Sequence, residues 1–493
     1  MRCASPGRWR ERLLPCATLA LVSFFLVTSA RAQFRDFTFR LPSGGETTAG
    51  VAWTDYDGDG DFDLFATTYG DTAGNENNRL LENRGAAGFA VIEVPELQLP
   101  RQLSTSSAWG DFDDDGDADV FIACEADTGV SLFRNDGAAS FVDVTPPVLR
   151  SRSGCYSSVW VDTDLDGDLD LGVASRDGAK LYRNDGGGRF ADITRPPLDV
   201  PAWCMEWTDF DRDGDPDAFL GTVQSQSGGE LILARNDGDN RFFDIARGTL
   251  GGGQDGAFSG SFADYDLDGD ADLYVTYFVD PGRLFRNDGP QGFSDVTPAI
   301  LNGSGSAYTS MWVDYDNDGD PDLLRCGQLA GTSSLYRNDG VGFGDVSSAL
   351  LGARQSSNWS GAWGDWDGDG RQDLYLGQAG SASDVLLRNE TSVASTWLAV
   401  ELEGVLSNRQ GMGARIEVST PGRTQVREIS GGGDGWCSQA PPIAWFGLGR
   451  QTLADVTVFW PSGQRRVLAG VAANQRIVVR EPGLAPIDSS FIA

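Results

Sequence analysis

Histidine is absent from all 493 residues, and lysine occurs once, at Lys180. Without an imidazole, Ser-His-Asp and Cys-His nucleophilic sites, His-ligated zinc or haem, and histidine acid-base chemistry are excluded. Carboxylate chemistry survives that exclusion. Basic charge is scarce as well: 38 basic residues stand against 72 acidic ones. Nucleic acid is a poor partner for such a chain, because phosphates demand a basic face. Long apolar runs are missing after the stretch that ends at Val27, so no later segment is predicted to span a bilayer.

That early stretch reads as an export signal. Arg2, Arg8, Arg10 and Arg12 precede the apolar run, and Ala30-Arg31-Ala32 supplies a small-x-small cleavage pattern. Residues 1–32 are therefore predicted to be removed, leaving a secreted protein, either extracellular or in a bacterial periplasm or envelope. Removing five Arg and one Glu brings the net charge to −38. The excess is uneven, since residues 393–493 hold nine Arg and eight acids. Five cysteines remain (Cys124, Cys155, Cys204, Cys326 and Cys437), and their spacing fixes no pairing; disulfides and buried free thiols both fit.

What the chain does contain is a repeat. The motif D-x-D-x-D-G-x-x-D occurs seven times, starting at Asp55, Asp111, Asp162, Asp209, Asp264, Asp314 and Asp365, with a mean period of about 52 residues. Two residues before each start stands an aromatic: Trp53, Trp109, Trp160, Trp207, Phe262, Trp312 or Trp363. After each loop come a β-prone run (DLFATTY, DVFIAC), a turn element such as LFRNDG at Leu132, and a short final run such as SFVDVT at Ser140. Each unit reads as four short strands. The predicted fold is all-β, a seven-bladed β-propeller over residues 33–392, followed by a small β-sandwich-like domain over 393–482 and a tail over 483–493. The seventh unit breaks off at LLRNET without its last strand, and residues 34–39 (FRDFTF) are predicted to supply it from the other end of the chain. The aromatics are assigned to packing between blades. The RNDG elements at Arg134, Arg183, Arg235, Arg286 and Arg337 are assigned to hairpin turns.

Crowded carboxylates at alternate positions suit a hard cation such as Ca²⁺, which takes six to eight oxygen ligands. The predicted ligand sets are Asp55, Asp57, Asp59 and Asp63; Asp111, Asp113, Asp115 and Asp119; Asp162, Asp164, Asp166 and Asp170; Asp209, Asp211, Asp213 and Asp217; Asp264, Asp266, Asp268 and Asp272; Asp314, Asp316, Asp318 and Asp322; and Asp365, Asp367, Asp369 and Asp373. The seventh loop position would add a backbone carbonyl, from Asp61, Asp117, Asp168, Asp215, Asp270, Asp320 and Arg371, so up to seven Ca²⁺ are expected. An EF-hand does not fit: loop position twelve is Ala66 in the first loop and Ile122 in the second.

These units, with W-x-D before them and N-D-G after, resemble the FG-GAP/VCBS repeats, relatives of the integrin α-subunit propeller. The segment from Trp397, with WLAVELEG, SNRQGMGARIEV, SGGGDGWCSQ and VTVFWPSGQ, resembles the ASPIC/UnbV module. That order is typical of the cartilage-acidic-protein-like family. The resemblance implies calcium on the seven loops and matrix or cell-surface interaction, and it carries over no catalytic residues. The expected function is a non-enzymatic scaffold for an extracellular protein or glycan partner. A glycan-binding lectin or carboxylate-dependent glycan-active enzyme is the alternative, with Glu125, Glu206 and Glu230 as the acids to inspect. The Gly-rich stretch 431–435 and Pro441-Pro442 read as loops of the last domain, whose loop-rich face would be free to bind.

Overall fold

The computed structural model describes residues 34–483 apart from 43–46, 71–76, 100–102, 126–128, 151–153, 224–230, 247–249, 251–255, 279, 303–306, 328–332, 353–357, 379, 381–382, 392–393 and 433–434. The predicted leader, Glu230 and nearly all of the predicted tail lie outside the described residues. Six four-stranded antiparallel meanders follow one another. Blade 1 begins with Thr48–Thr54, blade 2 with Ser104–Gly110, blade 3 with Cys155–Val161, blade 4 with Ala202–Thr208, blade 5 with Ala257–Ala263 and blade 6 with Ala307–Val313. Blade 7 has Asn358–Gly364, Asp373–Gln378 and Val385–Asn389. Each first strand lies against that of the next blade, and Asn358–Gly364 lies against Thr48–Thr54, so the ring closes on itself.

Both faces of each blade meet a neighbour, which is why the inner strands read as nearly continuous apolar and small residues instead of alternating. Asp63–Thr68 and its equivalents are buried at every residue. The assignment of the aromatics to inter-blade packing holds. Trp109 meets Phe65 of blade 1 edge-on at 5.4 Å, and the indole Nε1 of Trp160 donates to Ala108 O of blade 2 at 3.0 Å. Trp53 and Trp160 are at most 1% exposed.

The fourth strand of blade 7 is Phe34–Asp36, antiparallel to Val385–Asn389 with Phe34 opposite Asn389. It is shorter than the predicted 34–39. Beyond Asp36 the chain turns into a 3-10 turn, Thr38–Arg40, where the Asp36 carboxylate accepts the Thr38 N–H at 2.9 Å. Phe34 packs between Tyr315 and Trp363, at ring distances of 6.1 and 5.9 Å.

Every first strand carries a β-bulge at its second residue: Ala49, Thr105, Tyr156, Trp203, Phe258, Tyr308 and Trp359 are skipped in the pairing. A bulge re-aims its side chain. Five of these residues are aromatic, and they form one chain of ring contacts: Tyr156 to Trp203 at 4.5 Å, Trp203 to Phe258 at 5.2 Å, Phe258 to Tyr308 at 4.9 Å and Tyr308 to Trp359 at 5.6 Å. They make an aromatic collar at the end of the channel away from the acidic loops.

The C-terminal domain is sandwich-like. Thr396–Glu403 sits between Ile443–Gly449 and, in parallel, Gln475–Arg480. The second sheet runs Arg423–Glu428, Arg415–Thr420, Leu453–Phe459, Arg465–Ala472. Leu398, Val400, Ile416, Val456 and Phe446 fill the space between them, each fully buried. The Gly-rich stretch is not a free loop. Ser438–Gln439 pairs in parallel with Val51 and Ala52 of blade 1, and Gly431 bridges to Trp160 of blade 3, so the segment enters the propeller channel. Gly50 is obligatory there: a Cβ on it would lie 2.5 Å from Cys437 O. The five described cysteines are buried and none is joined to another in a disulfide, which decides the pairing left open by their spacing.

Deleting residues 34–39 removes the strand that covers the outer edge of the third strand of blade 7 and leaves that edge open. The expected outcome is a melting temperature lower by several degrees, with aggregation visible by light scattering. Unchanged values for both would contradict the shared blade.

Candidate metal centre

Six of the seven loops are wound around their own first carboxylate; in the blade 5 loop both oxygens of Asp264 are buried with no donor among the described residues. Asp55 accepts the N–H of Asp59 on Oδ1 (3.1 Å) and of Gly60 on Oδ2 (3.0 Å). The same pair of bonds recurs at Asp111, Asp162, Asp209, Asp314 and Asp365, at 2.7 to 3.2 Å. The fifth-position carboxylate then accepts the N–H of position seven, as Asp59 does from Asp61 at 2.9 Å and Asp369 from Arg371 at 3.1 Å. Two left-handed residues make this winding possible. The sixth position is always Gly, with φ from 84° at Gly370 to 104° at Gly116. The fourth is also left-handed, including at Asp114, Leu165, Arg212, Leu267 and Asn317, where no glycine gives it away in the sequence.

In these loops three of the four acids of a predicted ligand set come together. Carboxylate oxygens of Asp55, Asp57 and Asp63 lie within 4.8 Å of one another, and the same holds for Asp111, Asp113 and Asp115; Asp162, Asp164 and Asp166; Asp209, Asp211 and Asp217; and Asp264, Asp266 and Asp272. These clusters of hard oxygen ligands can hold metal ions. The residues present fit that role by a further sign. Asp63 Oδ2 and Asp373 Oδ2 are buried and have no protein donor, although their other oxygens accept the N–H of Asn83 (2.7 Å) and Asn389 (2.6 Å). An oxygen of that kind suits a cation better than a void.

The ninth-position acid is the most buried. Burial pushes Asp63 and Asp119 up to about 8 and Asp217 up to about 9, against backbone hydrogen bonds that pull down and neighbouring carboxylates that add to the rise. Asp162, at position one, is likewise pushed to about 8 by burial and then by the charges of Asp170 and Asp166.

The RNDG elements do more than turn the chain. The Asn side chain accepts the Gly N–H two residues on, as at Asn135 to Gly137 (3.1 Å), which is the expected turn. Its amide also crosses to the preceding blade: Asn83 Nδ2 donates to Trp366 O, Asn135 to Tyr56 O, Asn184 to Phe112 O, Asn287 to Phe210 O, Asn338 to Tyr265 O and Asn389 to Tyr315 O, at 2.7 to 2.9 Å. The acceptor is always the second residue of the neighbouring acidic loop. The Arg of the element leans over the loop of its own blade. Arg337 lies 2.8 Å from Asp316, and Arg388 2.5 Å from Asp367, whereas Arg183 stays 4.0 Å from Asp164. Arginine thus contends for the acids of blades 6 and 7 more closely than for those of blade 3. Arg371, assigned to the backbone-donating position, also uses its guanidinium to contact Asp369 and Asn389 O.

Glu125 and Glu206 are not brought together. Glu125 follows the end of its strand away from the loops, where it accepts from the Tyr69 hydroxyl and faces Arg176 at 3.8 Å. Glu206 is buried at the loop end of blade 4, on the wall of a cavity of about 220 Å³ shared with Arg427 and Glu428 of the C-terminal domain.

A profile of the FG-GAP-like repeat matches residues 55–122, 111–173, 162–220, 209–275, 276–325 and 326–376. The chain belongs to the FG-GAP-like repeat family. A second profile, ASPIC and UnbV, matches residues 404–485. Cartilage acidic protein 1 of Mus musculus is 34% identical over 122 residues, 24% of this chain and 18% of the relative. The Xenopus tropicalis protein of that name is 24% identical over 253 residues, 48% of this chain and 38% of the relative. The chain thus spans well under half the length of these curated relatives. Among solved structures, an Agrocybe aegerita lectin that recognises non-reducing terminal N-acetylglucosamine aligns with a TM-score of 0.42 at 19% identity, over 60% of this chain and 79% of that one. No helix among the described residues of this FG-GAP-like repeat protein is long and apolar enough to cross a membrane.

Two outcomes follow from this geometry. Asn135→Ala strips the Tyr56 carbonyl of blade 1 and the Ala118 carbonyl of its own blade of their amide donor and is expected to cost about 1–3 kcal/mol, whereas Asn236→Ala, whose amide reaches Pro216 O of its own blade at 3.3 Å, should cost less. Paired chemical denaturation curves decide it, and equal costs would remove the inter-blade role. The second concerns pH. The metal-free fold holds protons on Asp63, Asp119 and Asp217 up to about pH 8 or 9, while the unfolded chain releases them near pH 4. The folded state therefore binds more protons across that window, and its stability falls as pH rises. Melting of metal-free protein is expected to be higher at pH 5.5 than at pH 8, and bound cations should flatten that slope. A metal-free curve that rises with pH would refute it.

Proposed function

We propose that this protein is a secreted calcium-binding propeller that serves, without catalysis, as an interaction scaffold for extracellular or envelope partners. The observation that carries the reading is the recurrence of one loop geometry around one rim of the ring, with oxygen ligands alone and buried carboxylate oxygens lacking a donor. Six to eight oxygens at flexible distances is the demand of Ca²⁺; Mg²⁺ requires a stricter octahedron and keeps its water. Relatives named for cartilage and the predicted leader at 1–32 support a place outside the cytoplasm. The absence of histidine and the separation of Glu125 from Glu206 favour a binding role over hydrolysis.

Extracellular calcium modules work at Kd values near 10⁻⁴ to 10⁻³ M. At free calcium about tenfold above Kd, each filled loop adds roughly 1.4 kcal/mol, and seven independent loops roughly 10 kcal/mol, on the scale of a whole domain's stability. Calcium removal with EGTA is expected to lower the melting temperature of the propeller sharply, so that residues 34–391 unfold and open to protease at a temperature the calcium-loaded protein withstands. Asp57→Ala with Asp59→Ala should remove close to one ion per chain. Native mass spectrometry for metal content, beside calorimetry with and without chelator, tests the reading; a metal content near zero in calcium buffer rules it out.

A further inference from the structure

The C-terminal domain sits directly on the acidic-loop rim. Arg476 donates to Gly60 O of blade 1 at 3.2 Å, and Gln410 accepts the Asp111 N–H of blade 2 at 3.1 Å. On blade 6, Arg423 reaches Asp318 O at 2.7 Å and the Asp320 carboxylate at 2.6 Å, while Asn317 O accepts the Gly449 N–H at 3.0 Å. On blade 7 the Trp397 indole covers Gly370 so closely that a Cβ there would overlap it. These contacts go to loop carbonyls, a loop N–H, a bare glycine and the Asp320 side chain, none of which the metal reading uses as a side-chain ligand. The domain therefore recognises the wound shape of the loops more than their free charge. Two contacts do use ligand carboxylates, the Gly447 N–H on Asp314 Oδ2 at 3.0 Å and the Arg409 guanidinium 3.8 Å from Asp111 Oδ2.

From that seat residues 430–432 and 435–441 line the channel. Gln439 brackets Trp109, accepting from its N–H (2.8 Å) and donating to its carbonyl (2.9 Å). The Cys437 thiol donates to Tyr156 O at 3.1 Å. At the tip, Trp436 enters the aromatic collar, stacked on Tyr308 at 5.3 Å and edge-on to Phe258 at 4.9 Å, and its backbone N–H donates to Ser259 Oγ at 3.0 Å. A strand of seven residues is about 23 Å long, so the finger links the loop rim to the opposite face.

We infer that the C-terminal domain is a cation-dependent latch: filled loops hold their wound shape, that shape seats the domain, and the seat keeps the finger in the channel. This rests on the calcium reading. Stripping the loops leaves four carboxylates facing one another at each site, loosens the winding that Arg476, Arg423, Gly449 and Trp397 contact, and frees the finger from the collar while the blades stay closed. Coupling of this kind is reciprocal, so the seated domain also tightens the loops' hold on calcium.

The test uses the full chain and its own free thiols. Iodoacetamide labelling, read peptide by peptide, compares Cys437 in the finger with Cys124 and Cys326 in the second strands of blades 2 and 6, well below the melting temperature. Cys437 is expected to label at least about tenfold faster in EGTA than in calcium, with Cys124 and Cys326 protected in both. Arg423→Ala combined with Arg476→Ala should speed Cys437 labelling even in saturating calcium, with the count of bound ions unchanged. If metal counting shows ions bound and then stripped, yet Cys437 stays protected, the latch is wrong and the calcium reading stands. Simultaneous labelling of all three cysteines in EGTA also overturns the latch, because the blades would then open together. If no ions bind, the calcium reading itself fails and the latch falls with it.

Discussion

One buried carboxylate per blade holds the molecule together. The ninth-position Asp of each loop receives the backbone N–H of the Asn on the third strand, and the side chain of that Asn, in six of the seven blades, donates to the loop of the preceding blade. Loop, blade and neighbour thus meet at a single charged group taken out of water. Burying a charge is costly unless it is bonded or neutralised. At Asp63 and Asp373 the bonding is half complete, since one oxygen has no donor. The fold consequently places its most demanding electrostatic group where a cation would relieve it, and the candidate metal site and blade registration become parts of one arrangement.

The same geometry explains why the ring carries its metal candidates on one rim only. Each acidic loop joins a first strand to a second, and every first strand begins at the collar and ends at the loop. Seven repetitions of one topology therefore put seven loops at one end and the bulged aromatics at the other. The C-terminal domain uses this polarity: it seats on the first rim and sends its finger toward the second. Gly50 and Gly431 allow backbones to pass where side chains would collide, with Gly431 so close to Trp160 that a Cβ would clash with its carbonyl.

Most of the fold was legible because it is repeated. Alternate acids with Gly at position six, an aromatic two residues upstream and four β-prone runs per unit recur at a period close to 52 residues, and local rules of turn and strand apply to each copy alike. The missing strand of the last unit and its counterpart at 34–36 were also readable, since a propeller must close. Less visible was the left-handed fourth position at Leu165, Arg212 and Leu267, because those residue types, unlike the Gly, Asp and Asn of the other loops, carry no turn signature.

By itself the sequence determined the strand order, the acidic loops and their ligand chemistry, since these depend on residues within about ten positions of one another. Only the tertiary structure decided what crosses between units. The Asn135 amide finds Tyr56 O, Arg337 leans on Asp316 in blade 6 while Arg183 stands off Asp164 in blade 3, and Trp436 enters a collar built from blades that lie far from it in the chain. The Gly-rich stretch that reads as a free loop is a plug for the same reason. Glycine permits both a turn and a close approach of two backbones, and which of the two it serves is set by the surface that the closed ring presents to it.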